Sequence, residues 1–143
     1  MKCTVHIDPS REEELLIYAH RETPLVAELQ QLAAAQESLV GSADGQYCRL
    51  DPLSVFCFIV QDGKTLAITR QEQWQVKLRL YQLEEQLGER FIRINQSCLI
   101  NRHRIERFKT TFGGALQVVM QNGFTDYVSR RQLKAVKERM GLS

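Results

Sequence analysis

The stretch RFIRINQSCLINRHRIERF, residues 90–108, decides the fold, because its arginines alternate with large apolar residues instead of forming one basic block. Such alternation is typical of a strand with one face in the core and charged edges. We predict a core strand here, with Arg93 and the Asn95–Ser97 turn projecting at its ends. Asn101 is predicted to turn the chain through side-chain hydrogen bonds to the backbone. The apolar residues expected to dock the strand are Phe91, Ile92, Ile94, Leu99 and Ile100.

Three hairpins are predicted around this stretch, because Asp-Gly and Asn-Gly pairs between apolar runs are strong two-residue turn signals. Asp44-Gly45 divides SLVGSADGQYCRL (38–50), and Asp62-Gly63 joins the buried strand VFCFIV (55–60) to TLAIT (65–69). Asn122-Gly123 divides ALQVVMQNGFTDYVS (115–129). Strands are therefore expected to dominate residues 38–129.

Helices are predicted where apolar residues recur at helical spacing. Thr23-Pro24 reads as an N-cap and first turn for a helix Pro24–Gln36. WQVKLRLYQLEEQL (74–87) begins as a strand and ends as a helix that stops at Gly88, and Arg130–Met140 reads as a short basic helix. The predicted inward positions are Leu25, Leu29, Leu32 and Ala33; Leu80, Leu83 and Leu87; and Leu133, Val136 and Met140. No two predicted helices are joined by a tight turn, so a helix-turn-helix is not supported.

The first residues give a less specific secondary-structure pattern. Lys2–Asp8 alternates like a strand, and Leu15–Ala19 fits either a strand or a helix. The chain of 143 residues suits one domain, or one domain with a small appendage. It contains no run of the ~18–20 apolar residues that a membrane helix needs, and MKCTVHIDPS lacks the plan of a secretory signal. We therefore expect a cytoplasmic protein without membrane insertion.

Charge is distributed unevenly along the chain. Residues 1–52 hold four lysines and arginines against nine aspartates and glutamates, whereas residues 53–143 hold fifteen against eight. A basic second half favours a polyanionic partner. An acidic protein partner, bound by the same basic half, is the alternative.

Catalysis is not expected. The four cysteines are scattered without a C-x-x-C pair, and no phosphate-binding glycine motif occurs. Cys98 and His103 are the single pairing of a nucleophile with a base, and alternation predicts that Cys98 is packed among apolar side chains. We expect neither a catalytic residue nor a cofactor nor a metal site.

Polar loops could carry DNA recognition, since binding needs cations for phosphates and side chains able to hydrogen-bond base edges. Gln96 can pair with adenine and Arg131 with guanine if they reach a major groove. Backbone contacts are predicted at strand ends and turns. These are Arg93, Asn95, Ser97, Asn101, Arg102, Arg104, Lys109, Ser129 and Arg130.

The order of these motifs resembles the LytTR DNA-binding domains of bacterial transcription regulators. The resemblance covers roughly residues 38–143 and is carried by four segments. They are VFCFIVQDGKTLAIT (55–69), LYQLEEQLGERFIRINQSCLIN (80–101), FGGALQVVMQNG (112–123) and YVSRRQLKAVKERMG (127–141).

The resemblance implies a mainly β domain, α+β overall, of stacked antiparallel sheets with short helices, preceded by a small strand-helix leader in residues 1–37. It implies a homodimer that binds paired repeats in double-stranded DNA, each protomer reaching the major groove with loops and strand ends. Carried over, the base contacts are Gly63 and Lys64 of the D-G-K turn, Gln96 before the serine of RI-x-x-S, and Arg131 of SRR. Many members have Lys or Arg in place of Gln96.

Residues 1–37 look like the leader of stand-alone members that lack a phosphorylatable receiver. The acidic leader is therefore expected to mediate dimerisation or to meet a regulatory partner protein.

Overall fold

The computed structural model describes residues 1–11 and 14–142 of the chain. The helices are α1 (Pro24–Ser38), α2 (Leu80–Leu87) and α3 (Arg130–Met140). The strands are β1 (Val40–Ala43), β2 (Gln46–Arg49), β3 (Cys57–Gln61), β4 (Lys64–Ile68), β5 (Gln73–Val76), β6 (Phe91–Asn95), β7 (Cys98–Asn101), β8 (Ile105–Thr110), β9 (Leu116–Met120) and β10 (Thr125–Tyr127). Single 3₁₀ turns occupy Pro52–Ser54, Gly88–Arg90 and Arg102–Arg104.

The strands form two antiparallel sheets, one of seven strands in the order β2-β1-β5-β4-β3-β7-β6 and one of three in the order β10-β9-β8. All three predicted hairpins are confirmed. Both residues of the Asp62-Gly63 turn have positive φ angles, 53° and 74°, which is the backbone shape that matches the twist of hairpin strands. The stretch 90–108, predicted as one strand with projecting ends, is a β6–β7 hairpin followed by a 3₁₀ turn and β8.

The seven-stranded sheet is the middle layer, because its two faces bury different sets of side chains. In β7, Leu99 packs on one face with the helix α2 leucines, whereas Cys98 and Ile100 pack on the other. That second face is covered by the three-stranded sheet and α3, through residues such as Val118 and Val136. The predicted mainly β fold of stacked sheets with short helices is confirmed.

Helix α1 begins as predicted, with the Thr23 hydroxyl accepting the Val26 N–H at 3.3 Å. Its packed face differs from the prediction, since Leu25 is 48% exposed, Ala33 is exposed and Val26 is buried. The contact with α2 and the Gly88–Arg90 turn sets this face, and the Gln31 amide fills the space that a side chain at Gly88 would occupy.

The strand predicted at Lys2–Asp8 is not formed. Val5 and Ile7 are 74% and 87% exposed, and no described residue pairs with this segment. Alternation alone was insufficient, because a strand also needs a partner for its backbone hydrogen bonds. Leu15–Ala19 is neither strand nor helix. None of the helices within residues 1–11 and 14–142 is long and apolar enough to cross a membrane.

Candidate nucleic-acid interface

Two of the predicted base-contacting residues face one groove at an edge of the seven-stranded sheet. Lys64 opens β4 directly after the Asp62-Gly63 turn, and Gln96 lies in the β6–β7 turn; both are exposed. The two turns are neighbours because the Val60 N–H donates to the Ser97 carbonyl at 2.9 Å. The groove measures about 710 Å³, and Gly63, Lys64, Gln96 and Ser97 all line it.

The β6–β7 turn is held by two side chains of β6, Arg93 and Asn95. The Arg93 guanidinium donates to the carbonyls of Asn95 at 3.0 Å and of Gln96 at 2.7 Å, and to the Glu84 carboxylate at 3.0 Å. The Asn95 side chain accepts the Ser97 N–H at 2.8 Å. These bonds engage Arg93 and Asn95 within the protein, and contact of either with DNA stays a prediction.

The third predicted base contact, Arg131, lies in the first turn of α3, next to the same β6–β7 turn. The Ser129 N–H donates to the Ile94 carbonyl at 2.8 Å, and the Ser129 hydroxyl accepts the Gln132 N–H at 3.3 Å, capping the helix. Arg130 and Arg131 follow this cap and are exposed. Three segments distant in sequence therefore place Lys64, Gln96 and Arg131 at one edge.

Lys109 lies at the corresponding end of the three-stranded sheet. It is exposed on β8 opposite Gln117 of β9, which in turn pairs with Tyr127 of β10. The Tyr127 carbonyl accepts a hydrogen bond from the Asn95 amide at 2.9 Å. Two strand spacings of about 4.8 Å thus separate Lys109 from the strand that contacts the β6–β7 turn.

The other predicted contacts lie at the far end of β7. Because β7 runs antiparallel to β3, Asn101 lies beside Phe56, at the end of β3 remote from the Asp62-Gly63 turn. The prediction that Asn101 contacts the DNA backbone is wrong, since it is fully buried. Its amide donates to the Val55 carbonyl at 2.9 Å and accepts the His103 N–H at 3.0 Å, so its predicted turn-forming role is confirmed.

Arg102 and Arg104 share this far end. Arg104 donates twice to the Leu53 carbonyl, at 3.1 and 3.0 Å, and its guanidinium lies 5.3 Å from the centre of the Phe56 ring. The structure does not bring Arg102 or Arg104 into the groove that holds Lys64 and Gln96.

Two cations that the sequence did not single out, Lys77 and Arg79, line the same groove as Lys64. Both are exposed and follow β5, whose Val76 pairs with Thr65 of β4. The segment WQVKLRL carried a usable signal, because Lys77 and Arg79 alternate with apolar residues. Their proximity to Lys64 depends on the pairing of β4 with β5.

Cys98 and His103, the predicted pairing of a nucleophile with a base, differ in burial, since Cys98 is fully buried and His103 is exposed. Burial, and to a smaller extent Cys57 and Asp126, raise the pKa of the Cys98 thiol far above its usual range. Burial and the nearby Arg90 lower the pKa of His103, against a smaller opposing effect of Glu28. Cys98 packs as a buried apolar residue, as predicted. Within residues 1–11 and 14–142, no group of three histidine, cysteine or acidic residues is arranged to hold a metal ion.

The chain was compared with known proteins by sequence and by structure, and both comparisons found similar proteins. Residues 45–141 match the LytTr DNA-binding domain family. An uncharacterized HTH-type transcriptional regulator of Staphylococcus aureus (strain bovine RF122 / ET3-1) is 36% identical over 105 residues, which are 73% of this chain and 71% of that protein. A second such regulator, from strain NCTC 8325 / PS 47, is 35% identical over the same length.

The fold is similar to that of a solved LytTr DNA-binding domain from Bacillus cereus. The TM-score is 0.68 at 19% identity, and the match covers 72% of this chain and 95% of that one. Although the Staphylococcus relatives are described as HTH-type, the three helices described here are separated in sequence by strands. The chain belongs to the LytTR family of DNA-binding domains, and is a DNA-binding regulator of transcription.

Proposed function

We propose that the chain reads paired short repeats in double-stranded DNA as a homodimer, and that it has no catalytic activity. Lys64, Gln96 and Arg131 are its base-contacting residues. One observation carries the proposal: the β3–β4 turn, the β6–β7 turn and the start of α3 meet at one edge of the protein.

Each of these side chains suits a base edge in the major groove. Gln96 can donate to and accept from adenine through its amide, and Arg131 can donate twice to guanine. Lys64 can donate to the guanine acceptors N7 and O6. Because the amide is uncharged, Gln96 contributes hydrogen-bond selectivity without attraction to phosphate.

Phosphate contacts come from cations around these residues. Lys77 and Arg79 line the groove beside Lys64, Arg130 precedes Arg131, and Lys109 is exposed on β8. Each neutralised phosphate releases counterions, so these contacts supply affinity for any DNA sequence and make binding dependent on salt. They hold the duplex while the base-contacting side chains select the site.

The same proposal places the chain in the cytoplasm and assigns its leader to dimerisation or to a regulatory partner protein. The leader of residues 1–37 includes most of α1, which packs on α2, so the truncation used as a test spares this helix. The test is removal of residues 1–23, followed by measurement of the oligomeric state and of binding to paired repeats. Unchanged dimerisation and unchanged regulation would contradict a role for this segment.

Site selection from a random-sequence duplex pool, followed by titration over a salt series, tests the DNA-reading proposal. The expected result is an enriched paired repeat and a linear fall of log affinity with log salt, at a slope of about −0.9 per phosphate contact. No enrichment and no binding at low salt would refute it. In that case binding of an acidic protein partner by the basic half is the surviving alternative.

Arg131 and Arg130 form a matched pair of variants, since both are exposed arginines in the first turn of α3. Arg131→Ala is expected to cost about 1–3 kcal/mol at one base pair of the selected site and to relax the preference there. Arg130→Ala is expected to weaken binding to all sequences evenly and to reduce the salt slope by about 1. Equal effects of the two variants on sequence preference would contradict the assignment.

A further inference from the structure

Two carboxylates, Glu84 and Asp126, lie beside the β6–β7 turn at the edge assigned to DNA. A carboxylate repels DNA phosphates, so an edge selected for affinity alone would exclude it. Each of the two instead makes a hydrogen bond to a side chain that shapes the turn.

Glu84 acts on the turn through Arg93. The Arg93 Nη1 lies 3.0 Å from Glu84 Oε2, and the two side chains are 23% and 38% exposed. The other nitrogens of the guanidinium, Nε and Nη2, donate to the carbonyls of Asn95 and Gln96. The carboxylate therefore orients a guanidinium whose remaining donors hold the backbone of the turn.

Asp126 acts on the turn through Asn95. The Asn95 amide donates to Asp126 Oδ2 at 3.0 Å and to the Tyr127 carbonyl at 2.9 Å. The other oxygen of Asp126, Oδ1, accepts the Tyr127 N–H at 2.8 Å. This carboxylate thus joins the β6–β7 turn to the strand that leads into α3.

We propose that Glu84 and Asp126 are positioning residues for Gln96, which increase sequence discrimination at the cost of affinity for DNA in general. The proposal rests on the function proposed above, because it gives Gln96 a base to read. A bidentate amide contact requires the side chain to be held within about 0.5 Å of its productive position. Without Glu84, the Arg93 guanidinium loses one of its three partners and turns more readily toward a phosphate, which favours non-specific binding.

The change in affinity for the selected duplex relative to a scrambled duplex distinguishes a positioning role from charge repulsion alone. Glu84→Ala and Glu85→Ala remove the same charge from neighbouring positions of α2, and within the described part of the chain Glu85 makes no ion pair. Glu85→Ala is expected to tighten binding to the selected duplex and to a scrambled duplex by the same factor. Glu84→Ala is expected to tighten binding only to the scrambled duplex and to lower the ratio of the two affinities about tenfold.

Three further variants test whether the carboxylates act through Gln96. Glu84→Gln keeps an acceptor for Arg93, so it should restore part of the lost ratio. In a Gln96→Ala background, Glu84→Ala should not lower the ratio further, because the base contact is already absent. Asp126→Asn should also lower the ratio, since its amide can accept only one of the two hydrogen bonds that the carboxylate accepts.

Amide hydrogen exchange in the absence of DNA gives a readout that does not depend on the operator. Glu84→Ala and Asp126→Asn should speed exchange of the Ser97 N–H, whereas Glu85→Ala should not. The positioning role is overturned if Glu84→Ala and Glu85→Ala have the same ratio of affinities for the two duplexes, or the same exchange rate of the Ser97 N–H. If the wild-type chain shows no sequence preference but its variants show faster exchange, the proposed function fails and the bracing of the turn stands.

Discussion

Replacement of Asn101 should lower the protein's free energy of unfolding without changing its contacts with DNA. The side chain is fully buried, and its amide provides a hydrogen bond to the Val55 carbonyl, which is also buried. Asn101→Ala leaves that carbonyl without a donor, at a cost of about 1–3 kcal/mol, and removes the bond from the His103 N–H, worth about 1 kcal/mol. The free energy of unfolding should therefore fall by about 2–4 kcal/mol.

Urea denaturation followed by circular dichroism measures this loss. With a slope of about 2 kcal/mol per molar, the midpoint should move down by about 1–2 M. A fall of less than about 0.5 kcal/mol would show that water or a neighbour satisfies the Val55 carbonyl, and would refute the reasoning. If the folded Asn101→Ala protein instead shows a changed dependence of DNA binding on salt, Asn101 does contact a phosphate.

Asn101→Asp adds a dependence on pH whose sign is determined by burial. The pKa of a buried aspartate is raised above its unfolded value of about 3.9, because burial disfavours the charged form. The protonated acid can still donate to the Val55 carbonyl, so this variant is most stable below the unfolded pKa and loses stability as pH rises through the folded pKa. Asn101→Ala should show no such change across the same range.

Further predictions concern the cysteines, two glycines and His103. Iodoacetamide should modify Cys3, which is exposed, far faster than Cys98 in the native protein, because burial raises the pKa of Cys98; peptide mass mapping checks this, and rapid native labelling of Cys98 would contradict it. Gly88→Ala should lower the free energy of unfolding more than Gly141→Ala, since Gly88 (φ 64°, ψ −147°) lies outside the left-handed helical region that Gly141 (φ 69°, ψ 27°) occupies. Urea denaturation of the pair measures the difference, and equal losses would argue against this difference in backbone strain. NMR titration should place the pKa of His103 below its usual 6.5. The stability that this group contributes is therefore present above pH 6.5 and is lost as pH falls through its lowered, folded-state pKa. A pKa above 6.5 would mean that Glu28 outweighs burial and Arg90.

The hairpins could be predicted because their signals are local. Asp62-Gly63 and Asn122-Gly123 supply the backbone conformations that the turns need, whatever lies elsewhere in the chain. The α2 face was predicted for a related reason, since Leu80, Leu83 and Leu87 satisfy helical spacing and all three are buried. Spacing and turn chemistry therefore gave most of the architecture.

The rest depends on contacts between distant segments, which the sequence does not display. Asn101 reads as a polar turn residue, and only the approach of Val55 makes it a buried anchor. Lys77 joins the candidate site only because β5 pairs with β4. Arg93 reads as a surface cation until α2 brings Glu84 within 3.0 Å of it.

The groups that hold the backbone of the β6–β7 turn do not include the Gln96 side chain, which we propose reads DNA. Arg93 holds the turn through main-chain carbonyls, Asn95 through its own amide, and no hydrogen bond within the described part of the chain uses the Gln96 side chain. Position 96 can therefore exchange amide for cation while the loop keeps its shape. Under the proposed function, a Lys or Arg at position 96 would therefore change the base that the turn reads without removing a hydrogen bond that holds the turn.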